Sequence, residues 1–355
     1  MKIDFYISSL SCGGAEKVLV AIASQMAASG HDAAIISLEK KPQFYKVPDT
    51  VSLVKVCSRG KMAAVKDFFR IQSRIKKGAA DVSVSFLSRC NCLVLLCSLF
   101  RKNRVIVCDR NNPLKEHSKL VFCISSLLYM RADRIVVQTN QIRNYYWRVL
   151  KPKIRVIENC IDTGALDSQL TGPVEREKVI LSMGRLEKQK DFKTLIRAFS
   201  GISRKYPGWK VKIFGDGSMR TELQHEIRKY DLERQVFLCG KTEKPYEQMC
   251  RASIFVLSSF YEGFPNVLCE ALYAGDLCIS ADCVSGPAEL ISHGENGWLF
   301  PVGDQEKLAG LLDELISSEQ GLEETRRRAE ESVKRLYLEK NIVRWEELMQ
   351  EVVCP

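Results

Sequence analysis

Short apolar runs alternate with amphipathic segments along most of the chain. In the first half the apolar runs lie at residues 2–7, 32–38, 81–87, 104–109 and 134–139, each the length of one buried strand. Helical segments separate these runs, beginning with residues 15–28. Continuous apolar strands alternating with helices are typical of a parallel sheet covered by helices. The pattern therefore predicts an α/β fold.

This alternation breaks once and then resumes. Residues 171–177 read TGPVERE, which is polar and irregular. A second series of strands follows in VILSMGRL, WKVKIFGDG, QVFLCG, ASIFVLSS and DLCISAD, with helices at 191–205 and 218–230. A chain of 355 residues also suits two domains better than one core. We expect two similar halves, with a ligand site at the strand carboxyl ends facing a cleft between them.

The composition indicates a globular protein, with 46% hydrophobic and 27% charged residues. The amino-terminal MKIDFYISSL reads as a buried strand and not as a signal peptide, and no run reaches the roughly 18 apolar residues of a membrane-spanning helix. The 14 cysteines form no C-x-x-C pair and only four histidines are present. This pattern disfavours a zinc site or a disulfide frame, so we expect buried free thiols in a reducing cytoplasm.

Positive charge is concentrated in the first half. Between Lys55 and Arg155 there are 22 Lys and Arg against 5 Asp and Glu, a balance of +17 in a chain whose net charge is +10. The apolar runs 92–100 and 120–130 lie beside these basic residues, and we favour buried helices for both over a face lying on a membrane. The charge is either a solvated surface or a site for an anionic partner. Its nearness to apolar runs favours an anionic membrane surface over nucleic acid.

Four loops that follow predicted strands are rich in glycine or basic residues. Glycine lets a backbone approach a bound group closely, and Arg and Lys bind phosphate oxygens. Each loop alone is a weak signal, and the coincidence of four on one rim carries more weight. Two cations beside a cleft suit a diphosphate. The residues concerned are Gly13 and Gly14, Arg185 and Lys190, Gly215 with Asp216 and Gly217, and Gly240 with Lys241.

A fifth loop, SSFYEGFPNVLCEAL, carries two glutamates separated by seven residues. Pro265 suits the first turn of a helix, where no N–H is needed. Amides at such a helix start bind phosphate through their free donors and the helix dipole. Glu262 precedes the turn, and Glu270 lies five residues past Pro265, about 7.5 Å along the helix axis. Glu262 reads either as a solvated loop residue or as a ligand-binding acid, whereas a buried Glu270 in an apolar helix needs a partner.

Together these motifs form a familiar arrangement. E-x7-E with G-F-P-N-V inside it, preceded by G-R-x-x-x-x-K and G-D-G, resembles the family 4 glycosyltransferases of the GT-B fold. SGPAELI and GENGWLFPVGD match the segments that usually follow, and GGAE and VIENCID match more loosely. The resemblance covers nearly the whole chain and is strongest from 180 to 305.

The resemblance implies two Rossmann-like domains whose parallel sheets face a central cleft. Residues 1–168 would form an acceptor-binding domain, and residues 169–337 a nucleotide-sugar-binding domain. The amphipathic helix within 338–355 would cross back to the first domain.

It also implies a role for each residue that matches a family motif. Arg185 and Lys190 would neutralise the diphosphate, and with Glu262 they would be the catalytic residues. Glu270 would bind the ribose hydroxyls. The other donor contacts would come from Gly13, Gly14, Gly215, Asp216, Gly217, Gly240 and Lys241, and from the turn of Gly263, Phe264, Pro265, Asn266 and Val267.

The reaction implied is transfer of a hexose or N-acetylhexosamine from a UDP-sugar to a hydroxyl of a glycan acceptor, with retention of configuration. It needs no metal and no cofactor besides the nucleotide-sugar substrate. With the basic first half, it suggests a lipid-linked acceptor in bacterial surface or lipid-linked polysaccharide synthesis. The enzyme would then be cytoplasmic and peripheral on the inner face of the membrane, with no nucleic-acid partner.

Two departures from the family pattern affect the first domain. Many relatives carry a His near the donor sugar, where this chain reads CDRNNP, so Asp109, Arg110 and Asn111 are the candidates for that place. The hinge has Glu158 and Cys160 where Pro and Gly are common. The first-domain contacts to sugar and acceptor therefore stay open among these residues.

Three other functions compete with this interpretation. A nucleotide-sugar epimerase of the same fold needs acids and bases at the sugar, and the scarcity of His disfavours it. A dinucleotide oxidoreductase needs G-x-G-x-x-G and a ribose-binding acid, and neither half has that spacing. A non-catalytic nucleotide-sugar-binding protein is compatible with the sequence.

Overall fold

The computed structural model describes residues 1–11, 13–39, 42–58, 62–78, 80–99, 103–110, 118–318 and 322–354. It divides into two compact units, one of Met1–Cys160 with Leu336–Pro355 and the other of Ile161–Arg335. The sequence placed this boundary between residues 168 and 169. The difference arises because a short helix at Thr163–Asp167 belongs to the second unit.

The first unit is built on a seven-stranded parallel sheet of order β3-β2-β1-β4-β5-β6-β7. The strands are β1 Lys2–Ile7, β2 Asp32–Ser37, β3 Ser52–Lys55, β4 Val82–Phe86, β5 Arg104–Cys108, β6 Arg134–Val137 and β7 Ile154–Val156. Its helices are α1 Gly14–Ala28, α2 Ala63–Lys76, α3 Ser88–Cys97, α4 Lys119–Tyr129, α5 Asn140–Tyr145 and α14 Leu338–Val353, with a 3₁₀ turn at Lys151–Lys153.

Two helical layers cover the two faces of this sheet. Alternate side chains of β1 point to opposite sides, as they must in any strand. Phe5 packs in the core beneath α1 and α14, whereas Tyr6 packs in the core beneath α2, α3, α4 and α5. Burial on both faces explains why the strands read as continuous apolar runs.

The carboxy-terminal helix α14 completes the first unit, which confirms the expected crossing back. Trp345 is fully buried and stacks on Phe86 with 6.2 Å between the ring centroids. Asn341 donates from Nδ2 to the backbone oxygen of Glu158 over 2.9 Å. The helix therefore fills a face of the sheet that residues 1–160 leave partly open.

The second unit is built on a six-stranded parallel sheet of order β10-β9-β8-β11-β12-β13. The strands are β8 Val179–Met183, β9 Lys210–Phe214, β10 Val236–Gly240, β11 Ile254–Leu257, β12 Leu277–Ala281 and β13 Trp298–Phe300. The helices are α6 Thr163–Asp167, α7 Phe192–Ser200, α8 Arg220–Lys229, α9 Pro245–Arg251, α10 Asn266–Tyr273, α11 Pro287–Leu290, α12 Gln305–Ser317 and α13 Leu322–Val333, with 3₁₀ turns at Lys188–Lys190 and Lys334–Leu336. The two sheets confirm the predicted fold class.

The two apolar runs beside the basic residues behave differently. In α3, Val94, Leu95 and Cys97 are buried, as a buried helix requires. In α4, by contrast, Leu120 and Leu127 are 70% and 61% exposed, so the preferred reading of a buried helix is wrong there. None of the helices on the described residues is long and apolar enough to cross a bilayer.

Substitution Trp345→Ala should destabilise the first unit by about 3–5 kcal/mol, because it empties a fully buried aromatic site. Urea unfolding followed by circular dichroism measures the change. Val343→Ala, on an exposed position of the same helix, is the control and should cost under about 0.5 kcal/mol. Equal stability of the two variants would show that α14 is not part of the core.

Candidate active site

The candidate residues of the second unit lie in loops at one edge of its sheet. Every strand of that sheet is parallel, so the loops after β8, β9, β10, β11 and β12 all leave from the carboxyl edge. The sequence placed its cations, glycines and glutamates in these loops. The fold therefore brings to one edge residues that the sequence spreads from Arg185 to Glu270.

Loops after β8 and β9 pack backbone against backbone. A Cβ atom on Gly215 would lie 1.8 Å from the carbonyl oxygen of Gly184, and one on Gly217 would lie 2.5 Å from that of Leu186. Leu186 donates its N–H to the oxygen of Asp216 over 3.0 Å, and Met219 donates to the oxygen of Leu186 over 2.8 Å. The close approach that Gly215 and Gly217 permit is thus to a neighbouring loop.

Lys190 and Glu262 form an ion pair of 2.6 Å between Nζ and Oε1. The two side chains are 14% and 8% exposed, so the pair is largely removed from water. Ser259, which is buried, donates its hydroxyl to the same Oε1 over 2.6 Å. Glu262 is therefore an oriented, partnered acid and not a solvated loop residue.

Three further hydrogen bonds fasten the Lys190 loop to the Glu262 loop. Gln189 donates from Nε2 to the oxygen of Tyr261 over 2.9 Å, and the N–H of Phe260 donates to the oxygen of Gln189 over 2.9 Å. Ser258 donates its hydroxyl to the oxygen of Lys190 over 2.9 Å. The position of Lys190 is consequently set by backbone contacts as well as by its carboxylate partner.

The turn at residues 263–265 is held by the loop that follows β12. Ser285, which has a positive φ of 69°, donates its hydroxyl to the oxygens of Glu262 and Gly263 over 3.0 and 2.9 Å. Gly286 has φ 103°, and a Cβ there would lie 2.5 Å from Cδ of Pro265. Only glycine fits that close approach to the proline ring.

The helix after this turn begins one position later than expected. Pro265 is the capping residue, and Asn266 is the first residue of α10. The N–H of Asn266 donates to the oxygen of Phe264 over 3.0 Å, so that amide closes the turn. Val267 lies in the first turn of the helix, and Glu270 is half-buried one turn further along.

The other predicted residues of this edge vary in exposure. Arg185 and Lys241 are exposed. Asp216 accepts from the N–H of Gly217 over 2.9 Å, and the oxygen of Gly240 accepts from the N–H of Gly215 over 2.7 Å. The loop after β9 is therefore hydrogen-bonded to the end of β10 on one side and to the loop after β8 on the other.

Sequence reasoning missed the residues that position these loops. Gln189, Ser258, Ser259 and Ser285 fall within or beside the motifs and carry the hydrogen bonds between them. Glu187 was also missed. It accepts from the N–H and hydroxyl of Ser218, and these bonds lower the pKa of its carboxyl. The pair Ser258–Ser259 directly after a buried strand was the available signal.

In the first unit, Gly13 caps α1 and Gly14 is its first residue. A Cβ on Gly13 would lie 2.2 Å from Oε2 of Glu16, three residues along. The carboxylate of Glu16 thus folds back over the start of its own helix, where a negative charge is stabilised by the dipole. Gly13 leaves room for that arrangement.

Asp109 lies in a buried polar network beneath α3, α4 and α5. Its Oδ1 accepts from Ser88, Asn91 and Tyr129 over 3.2, 2.9 and 2.7 Å, and its Oδ2 accepts from Tyr146. Four donors on one carboxylate give it a role in holding these helices to the end of β5.

Arg110 points to the other face of the sheet. Its guanidinium carbon lies 4.3 Å from the ring centroid of Phe86 and 5.8 Å from that of Trp345, and Nη1 donates to Oδ1 of Asn159. Within the described residues its Nε and Nη2 meet no hydrogen-bond partner. Burial lowers the pKa of Arg110. Asn111, the third candidate, lies outside the described residues.

Comparison with protein families gives two matches that divide the chain. Residues 12–165 match the model described as Glycosyltransferase Family 4, and residues 166–336 match the model described as Glycosyl transferases group 1. The join between the two matches lies within a few residues of the boundary between the structural units.

Similar proteins match over nearly the full length. The chain is 27% identical to a Campylobacter jejuni α-1,4-N-acetyl-D-galactosaminyltransferase that acts on a diphospho-undecaprenol-linked glycan, over 99% of both chains. It is 28% identical to the amylovoran biosynthesis glycosyltransferase AmsD of Erwinia amylovora, over 87% of this chain and 88% of the relative. Its fold matches that of HepE from Anabaena, solved with UDP and glucose, with a TM-score of 0.84 at 18% identity over 99% and 100% of the two chains.

Substitution Gly215→Ala should destabilise the second unit by more than about 2 kcal/mol, because the added Cβ overlaps the carbonyl of Gly184. Thermal unfolding measures the effect. Gly310→Ala is the matched control, since Gly310 lies exposed within α12 with open space around it. That change should stabilise by about 0.5–1 kcal/mol. A tolerated Gly215→Ala would contradict the loop packing described above.

Proposed function

The chain belongs to the family 4 glycosyltransferases of the GT-B fold, and on this premise we propose which reaction it catalyses. It transfers a hexose or N-acetylhexosamine from a UDP-sugar to a hydroxyl of a glycan acceptor, with retention of configuration. The acceptor is lipid-linked, and the pathway is bacterial surface or lipid-linked polysaccharide synthesis.

The observation that carries the proposal is the oriented cation at the carboxyl edge of the second sheet. Lys190 is held at 2.6 Å from Glu262 by two loops that are bonded to each other, and Arg185 lies exposed on the same loop. Departure of a nucleoside diphosphate leaves negative charge on its phosphate. Cations fixed in advance stabilise that charge more than solvated ones do, because they need not reorganise during the reaction.

The two glutamates then bind different parts of the donor. Glu270, half-buried on α10, binds the ribose hydroxyls, since a carboxylate accepts from two neighbouring hydroxyls at once. Glu262 and the backbone of residues 263–266 hold the donor sugar. Binding of the diphosphate makes Lys190 share its charge between the phosphate and Glu262.

Chemically, the bond between the anomeric carbon and the phosphate oxygen breaks, and a bond to the acceptor oxygen forms on the same face. The acceptor proton passes to the departing phosphate. No side chain is needed as a dedicated base, which suits a chain with only four histidines. Metal ions have no part in this scheme, because Arg185 and Lys190 supply the positive charge.

The names of relatives support the choice of donor and acceptor. HepE was solved with UDP and glucose, and the Campylobacter relative is named for a transfer onto a diphospho-undecaprenol-linked glycan. AmsD is named for biosynthesis of amylovoran. A lipid-linked acceptor would keep the enzyme peripheral on the inner face of the cytoplasmic membrane.

Substitutions Arg185→Ala and Glu270→Ala should each weaken UDP binding about tenfold to a hundredfold, the effect of losing one charged hydrogen bond. Isothermal titration calorimetry with UDP measures it. As a control for Arg185→Ala, Lys188→Ala removes one positive charge from the loop that carries Arg185. This change should leave the affinity for UDP unchanged. If Glu270→Ala kept both affinity and turnover, the site assignment would be wrong.

The stereochemistry is tested on the product, and the independence from metal is tested on the initial rate. Proton NMR of the isolated glycan should show the anomeric configuration of the UDP-sugar donor, and chelation with EDTA should leave the initial rate unchanged. An inverted product, or activity that EDTA abolishes and Mg²⁺ restores, would contradict the proposed mechanism. UDP binding without transfer to any lipid-linked glycan would instead favour a non-catalytic binding protein.

A further inference from the structure

Exposed apolar side chains are concentrated on one layer of the first unit. The described residues include seventeen exposed large apolar side chains, and nine of them belong to α2, α3, α4 or the residues that cap these helices. The nine are Met62, Val65, Phe69, Leu96, Leu120, Val121, Ile124, Leu127 and Met130.

These nine residues, which we call the apolar layer face, lie on the outer side of neighbouring helices. The inner sides of α2, α3 and α4 share one core with the sheet, through residues such as Ile71, Val94 and Phe122. Helix α3 packs against α2 on one side and α4 on the other. The outward sides of the three helices therefore form neighbouring parts of one surface, with most of its apolar residues on α2 and α4 and Leu96 on α3.

The spacing on each helix supports this placement. Met62, Val65 and Phe69 are three and four residues apart at one side of α2, with exposures of 61%, 45% and 59%. In α4, Leu120, Ile124 and Leu127 repeat the same spacing. Residues three and four apart share one side of a helix, so each set is a continuous stripe.

The charge of the same layer is almost all positive. Helices α2, α3, α4 and α5 contain seven Lys and Arg but one acidic residue, Asp67. Lys66 and Arg70 are exposed on α2 beside the apolar stripe, whereas Arg74 of the same helix pairs with the buried Asp4. The carboxylate of Asp67 accepts from the backbone N–H of Ser58 over 2.8 Å, so it already has a partner within the protein.

We propose that the apolar layer face is the surface by which this protein lies on an anionic lipid bilayer. Apolar side chains enter the boundary between headgroups and acyl chains, and Lys66 and Arg70 meet lipid phosphates. An anionic bilayer complements both features at once, because it places phosphates directly above acyl chains. An acidic protein partner would complement the charge but would give no binding to lipid vesicles. The proposal rests on the proposed function in one respect: it names how the enzyme meets a lipid-linked acceptor.

Vesicle flotation of the full chain tests this surface. The wild type should float with phosphatidylcholine vesicles containing phosphatidylglycerol, and high salt should reduce the bound fraction without abolishing it. Ile124→Ser with Leu127→Ser, and separately Lys66→Glu with Arg70→Glu, should each weaken partitioning by about tenfold or more.

Matched controls make the same changes elsewhere. Val302→Ser with Val343→Ser alters exposed apolar residues outside the layer, and Arg204→Glu with Lys210→Glu alters exposed charges of the second unit. Both should float like the wild type. Because every change is at an exposed position, thermal unfolding should be unaffected.

Several outcomes would overturn the proposal. One is binding that survives both layer variants, and another is equal binding to vesicles without phosphatidylglycerol. A dimer in sedimentation velocity that Ile124→Ser with Leu127→Ser disperses, without vesicle binding by the wild type, would assign the face to a second copy. UDP calorimetry on the same samples separates the two proposals, since loss of UDP binding affects the proposed function and leaves the membrane surface standing.

Discussion

The ion pair between Lys190 and Glu262 is the constraint on which the candidate active site depends. Both groups are largely buried, and a buried charge that loses its partner costs about 3–5 kcal/mol. The pair persists because Ser259 donates to the same carboxylate and because the two loops are bonded along their backbones. A positive charge is thus held at the sheet edge before any substrate arrives.

The other loops at this edge are held around the ion pair mainly by contacts between backbone atoms, several of them at glycines. Gly184, Gly215 and Gly217 bring the loops after β8 and β9 into backbone contact, which fixes where the Lys190 loop runs. Ser285 and Gly286 hold the turn that carries Glu262. Gly215 and Gly217, which the sequence suggested as phosphate contacts, therefore allow close packing against the neighbouring loop of the protein itself.

Much of this could be predicted from the sequence because parallel strands buried on both faces leave unbroken apolar runs. The strand at 2–7 matches the structure, and the strands at 104–109 and 134–139 end within two residues of it. Strand β3 was missed, since it is a four-residue edge strand with half-exposed side chains. The sequence marked Glu262 and Lys190 as separate ligands, whereas their mutual contact depends on β8 and β11 being neighbours, which no local pattern encodes. For α4 the apolar composition suggested burial, because composition does not say whether another element covers a helix.

A structure of the protein with bound UDP would show whether the carboxyl edge of the second sheet holds the diphosphate. We expect a phosphate oxygen within hydrogen-bonding distance of Lys190 Nζ, with Arg185 turned towards the diphosphate and the ribose hydroxyls against Glu270. UDP bound away from this edge, or a Lys190 that contacts only Glu262 while the ribose lies far from Glu270, would contradict it.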